Sequence, residues 1–196
     1  MKPNILLALL CTVLLNGCAT QTNEIPPGTL NSDGTGGETL YGSHRGNVAT
    51  PKWSFVFNIY KDSREWKMQS LTGDRKHLTC EFSLKGAPTN AWQEKVLIQI
   101  VFMKFPLRKF IDGWEEGLRS GDAHAQTKET TCDDGSITVE YTVETTDIIG
   151  VRRFIQGGDG IYMIAYHVHR AAKDAEIYKL WTGIINTASL EPHQQK

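Results

Sequence analysis

The sequence predicts an α+β domain in which an antiparallel sheet is covered by helices on both faces. Three observations predict it. Two stretches carry apolar residues at helical spacing, the segments between them read as successive strands, and two of those strands are apolar on both parities and so need cover on each side.

The elements follow in order. Trp53, Phe55, Phe57 and Ile59 alternate with Ser54 and Asn58 as a first strand, and Trp66 and Met68 mark a short second one. Leu78, Cys80, Phe82 and Leu84 alternate with Thr79, Glu81, Ser83 and Lys85, which gives a strand with one buried face that includes Cys80. Val96 to Phe105 is apolar on both parities apart from Gln99 and Lys104; this strand is central, and Pro106 ends it. Leu107, Phe110, Ile111, Trp114 and Leu118 then follow the helical rule, and Ser120-Gly121-Asp122 stops the helix. Asp133-Asp134-Gly135 reads as a hairpin turn leading into a half-buried strand with Ile137, Val139, Tyr141 and Val143 on one side. Ile148 to Ile155 and Ile161 to Tyr166 form the last two strands, turned by Gly157-Gly158-Asp159-Gly160. Ile177, Leu180, Trp181, Ile184, Ile185 and Ala188 then stripe a closing helix. One core accounts for the whole of 51–196.

Ahead of this domain the chain has a different character. Lys2 precedes an apolar run from Ile5 to Leu15, the order of an export signal, and the run is too short to remain as a membrane span. The stretch Leu15-Asn16-Gly17-Cys18 resembles the lipobox of bacterial lipoproteins: Leu15, Gly17 and Cys18 match, and Asn16 is an unusual filler. The resemblance implies a signal peptide over 1–17, acylation (palmitate among the chains) at Cys18, and a mature protein tethered to a membrane. The other readings are an ordinary secretory signal cut nearby and an uncleaved apolar leader. Because Ala19 and Thr20 follow the cysteine, and not Asp, the resemblance points to the outer membrane, on its periplasmic side. Residues 18–50 are rich in Thr, Asn, Gly, Pro and Ser, without apolar periodicity, and read as a flexible linker. Its roughly 32 residues would reach about 100 Å fully stretched.

Cleavage would remove Lys2 from the 21 basic residues and none of the 22 acidic ones, so charge stays near balance and no nucleic-acid partner is expected. It would also remove Cys11. With Cys18 acylated, Cys80 and Cys132 remain, and in an oxidising compartment they most simply form one disulfide; two separately buried thiols are the other reading. Closing a loop of roughly 50 residues would stabilise by about 4 kcal/mol.

The order strand, helix, three strands, helix, with the closing pattern Gly160-Ile161-Tyr162-Met163-Ile164-Ala165-Tyr166 followed by a helix reaching Ile184-Ile185-Asn186-Thr187, resembles the PsbP-like domain over Leu78 to Leu190. That resemblance implies docking onto other proteins and carries no catalytic set. No functional residue transfers from it.

Candidate chemistry is sparse. His167 and His169 lie two apart on a strand and point the same way, as a metal pair would, with His124 or Asp159 as further ligands; a lone His-x-His specifies neither partner, and no metal is expected. The Gly157–Gly160 run joins strand to strand, which is a hairpin and not a phosphate cradle. Ser43 and His44 fall in the linker, and Glu115-Glu116 is a solvated helix face. Trp114 and Trp181 belong to core stripes, whereas Trp66 and Trp92 are candidates for exposure. Arg152-Arg153 puts one cation on each side of its strand, in solvent. The expectation is a non-enzymatic envelope lipoprotein without cofactor that binds or scaffolds a protein partner; a periplasmic ligand- or metal-binding protein and a component of a secretion apparatus are the alternatives.

Overall fold

The computed structural model describes residues 39–40, 45–49, 53–58, 62–74, 76–88, 92–133 and 135–192. The leader 1–17, Cys18, the first part of the linker and Asp134 lie outside the described residues. Within them the chain forms eleven strands and two α-helices. The strands are β1 (Thr39–Leu40), β2 (Arg45–Ala49), β3 (Trp53–Asn58), β4 (Trp66–Gly73), β5 (His77–Leu84) and β6 (Glu94–Val101), then, after helix α1 (Leu107–Gly121), β7 (Gln126–Asp133), β8 (Ser136–Val143), β9 (Ile148–Gln156) and β10 (Ile161–His169). Helix α2 (Ala175–Asn186) and β11 (Ser189–Pro192) close the chain.

Two antiparallel sheets result. The large one runs β1-β4-β5-β6-β10-β9-β8-β7 and the small one β11-β3-β2. β6 lies between β5 and β10, which makes it central as expected, although it ends at Val101 and not Phe105. β1 and β2 fall inside the stretch read as linker, so the chain joins the folded body before Trp53.

The expected α+β arrangement, a sheet covered by helices on both faces in the PsbP-like manner, is not found. The protein is mostly antiparallel sheet. Helices of 15 and 12 residues are about 22 and 18 Å long, whereas eight strands spaced by about 4.8 Å span about 34 Å. Each helix therefore clothes only part of a face. On one face α2 shares the cover with the small sheet: Trp181, Ile184 and Ile185 from α2 and Phe55 and Phe57 from β3 pack with Leu78, Cys80, Ile98, Tyr162 and Tyr166. On the other, Phe110, Ile111, Trp114 and Leu118 of α1 pack on Ile137, Val139, Phe154 and Met163 of β8 to β10. A strand apolar on both parities requires two covered faces, but a second sheet covers one as well as a helix does.

Local chemistry sets the boundaries. Pro106 precedes the first turn of α1, where its missing N–H costs nothing. Asp122, 3 % exposed, ends that helix and accepts the His124 and Thr145 backbone N–H groups at 2.9 Å each, which ties the helix end to the β8–β9 turn. Asp174 caps α2 by accepting from the Glu176 and Ile177 N–H groups. Gly135, at φ 78°, supplies the left-handed conformation of the β7–β8 hairpin.

Candidate functional site

β7 is the outer strand of the large sheet, paired on one side with β8 and on the other with no described strand. Gln126, Lys128, Glu129, Thr130 and Asp133 are exposed and Thr127 and Thr131 half-buried, so the strand carries no apolar face. It is nonetheless pinned from both sides of the sheet. Arg108 of α1 forms an ion pair with Glu129, Arg119 reaches the Thr127 hydroxyl at 3.3 Å, and Thr131 meets Asn186 of α2 at 3.4 Å. A register shift between Glu129 and Thr131 marks a bulge. Beside the strand an open groove of about 290 Å³ is lined by Gln126, Lys128, Glu140, Thr142, Lys173 and Tyr178. The Lys173 ammonium lies 4.2 Å from the Tyr178 ring centre, and the Tyr178 hydroxyl donates to the Gly150 carbonyl at 3.1 Å. Backbone hydrogen-bonding groups along one edge, with polar side-chain sites next to them, can take up an extended peptide as an additional strand.

Beneath α1 lies a buried polar centre. Strand pairing sets Tyr141 and His167 on either side of Gly150, with Arg152 two residues further along β9. The Tyr141 hydroxyl and His167 Nε2 share a hydrogen bond. Arg152, 3 % exposed, lies 5.2 Å from the Trp114 ring centre and 5.9 Å from that of Phe154, and among the described residues no carboxylate pairs with it. Two cation–π contacts offset part of its desolvation. Burial, together with the charges of Arg152 and Lys95, holds His167 well below the ordinary histidine range, so it is neutral. Burial pushes the Tyr141 phenol up to about 12 against the pull of Arg152. Burial likewise lowers Arg152, while Tyr141 draws it back.

The opposite face carries a satisfied charge network. Arg64 bonds Asp62 at 2.9 Å and both Glu94 oxygens at 2.9 Å, and Glu94 accepts from the Tyr166 hydroxyl at 2.5 Å. Asp62 also accepts from the indole N–H groups of Trp66 and Trp181. Burial raises Asp62, but the hydrogen bonds from Arg64 and Trp66 outweigh it and leave the carboxyl below its ordinary value. Burial and the Glu94 carboxylate both push Tyr166 up.

Several sequence expectations need correction here. Cys80 and Cys132 do not form a disulfide: Cys80 is free and buried. Its strand and that of Cys132 are five steps apart in the sheet, about 24 Å, against the 7 Å or less a disulfide tolerates. Burial raises the Cys80 thiol to about 12. Arg152 and Arg153 are not solvated; Arg153 is 8 % exposed and donates to the Thr138 hydroxyl at 3.2 Å and to Asp133 at 3.5 Å. Trp66 is fully buried. Trp92 is half-buried, with the Lys95 ammonium 4.4 Å from its ring centre and the His169 ring at 4.6 Å. His167 and His169 share a strand face, but His167 is bound to Tyr141 beside the Arg152 cation, and the His169 ring lies tilted against Trp92. Among the described residues no three His, Cys, Asp or Glu side chains converge; Asp159 instead accepts from the Tyr162 hydroxyl at 2.9 Å. The hairpin turn at Asp133-Asp134-Gly135 implies a strand ahead of it, but the sequence reading gave β7 no bounds and no role.

No protein-family model matches the chain, and no curated protein or solved structure matches it.

Proposed function

We propose that this chain is a non-catalytic lipoprotein of the bacterial envelope, held at the outer membrane by acylated Cys18, whose folded body binds an extended segment of an envelope protein by strand addition along β7. The observation that carries the reading is the β7 edge, with which no described strand pairs on its outer side, and its adjoining groove. Main-chain pairing supplies affinity with little demand on sequence, and the groove side chains, two lysines and a glutamate among them, supply selectivity. The bulge and Lys128 keep the edge from pairing with arbitrary strands, so a partner has to match the twist that they impose. The lipobox residues Leu15, Gly17 and Cys18 support the anchor, and the polar segment after Cys18 supports reach towards the partner.

The test is site-specific photo-crosslinking in intact cells. A photoreactive residue at Gln126, Lys128 or Thr130 is expected to join one and the same envelope polypeptide, and at Glu116 on α1 to join none. Equal adducts from β7 and α1, or none from β7, would overturn the reading. Incorporation of labelled palmitate that survives Cys18→Ala would remove the anchor.

A further inference from the structure

The corner where β6 leaves the sheet and α1 begins has a chemistry unlike the rest of the surface. Phe105 is the only large hydrophobic residue classed as exposed among the described residues, at 36 %. It sits in Phe102-Met103-Lys104-Phe105-Pro106-Leu107-Arg108-Lys109, which contains three cations and no acid. Lys104, Arg108 and Lys109 are exposed, and Phe102, Met103 and Leu107 are half-buried on the core margin below them. The hydrogen bond from the Phe102 N–H to the Lys76 carbonyl, 2.7 Å, brings the exposed Lys76 to the same corner. Arg108 is engaged with Glu129, and the nearby Asp74 carboxylate is taken up by the Lys76 and His77 N–H groups and the His77 ring. No ion pair engages Lys76, Lys104 or Lys109 among the described residues.

We infer that this corner is a contact for an anionic lipid surface, with Phe105 entering the headgroup boundary and Lys76, Lys104 and Lys109 facing the lipid phosphates. The charge pattern selects this occupant: an exposed aromatic ring that can bury itself shallowly, with exposed lysines before and after it in the same segment, fits a negatively charged bilayer, where each lysine adds to the attraction. A protein partner would have to supply carboxylates around an apolar recess. The inference rests on the Cys18 anchor only for the nearness of a bilayer. The tether would deliver the body to the membrane, and the corner would decide which way round it rests.

The experiment uses the full chain with vesicles of phosphatidylcholine, alone or mixed with phosphatidylglycerol, and the photoreactive analogue p-benzoylphenylalanine in place of Phe105. Lipid adducts are expected with the mixed vesicles. They should fall several-fold with neutral vesicles or raised salt, and by about 30-fold or more in Lys104→Glu/Lys109→Glu. The same probe at Thr130 is the control, and far-UV circular dichroism checks that the charge-reversed chain keeps its fold. Equal yields with neutral and mixed vesicles, yields no higher than at Thr130, or no lipid adduct at all would overturn the inference. The mass of the Cys18 peptide from cells is read separately. An unmodified sulfur there would sink the anchor, while the adduct yields with added vesicles would still judge the corner.

Discussion

Asp62 and Trp181, 119 positions apart in the chain, meet through a 2.8 Å hydrogen bond from the indole Nε1 to Oδ2. The same oxygen accepts the Trp66 indole at 3.1 Å, and the two indole rings lie edge to face with centroids 5.1 Å apart. One carboxylate thus fastens the start of the large sheet to the last helix. Asp62→Ala would leave two buried indole donors without their acceptor, while the Arg64 guanidinium would keep Glu94 as its carboxylate partner. The expected cost is about 2–4 kcal/mol in urea unfolding, from about 1–3 kcal/mol for each buried donor left unsatisfied. A loss below about 1 kcal/mol would show that the network is incidental to stability.

His167 predicts a stability that depends on mild acid. Its folded pKa lies well below the unfolded 6.5, so the unfolded chain binds the proton first. The stability is whole above pH 6.5 and declines as pH falls from there towards the folded value, with a slope approaching about 1.4 kcal/mol per pH unit. Chemical denaturation between about pH 7 and pH 5 measures it, and His167→Gln should flatten the slope in that window. Asp62, whose pKa is lowered, acts further down: its contribution is lost only as pH falls below about 3.8.

Gly150 is required by its neighbour. A Cβ there would stand 2.5 Å from the Tyr141 ring, which lies over the glycine in the buried centre. Gly150→Ala should cost about 1–3 kcal/mol by overpacking, read as a lowered melting temperature. Gly183→Ala is the contrast. Its added carbon meets nothing within 4 Å on the outer face of α2, so the change should stabilise by up to about 1 kcal/mol.

Cys80 should resist thiol reagents in the native protein and react only on unfolding, because burial keeps the thiolate rare. Peptide mapping without reductant should find no link between Cys80 and Cys132. Recovery of that linked pair from folded material would contradict the strand order.

Much of the strand and helix pattern was legible because single strands and helices announce themselves by period: Leu78, Cys80 and Phe82 in β5, and Phe110, Ile111, Trp114 and Leu118 in α1. β7 was not, since Gln-Thr-Lys-Glu-Thr-Thr-Cys-Asp has no recurring apolar residues to set a period. The sheet order was not legible either. β6 pairs with β10 across the whole helix and three intervening strands, and that long-range pairing is what separates Cys80 from Cys132. Arg152 looked like a surface cation because its partners, Trp114 and Phe154, are aromatic faces and not carboxylates. Of the candidate site the sequence showed only the hairpin glycine at its end, Gly135.

The pairing of β11 with β3 has a consequence for biogenesis. The small sheet cannot close until Pro192 has been made and has met Trp53, 139 positions before it. A nascent chain truncated anywhere before Ser189 would leave one flank of β3 bare. Completion of the small sheet thereby waits on two segments far apart in the chain finding one another, a contact whose loop closure has to be met before the pairing rewards it.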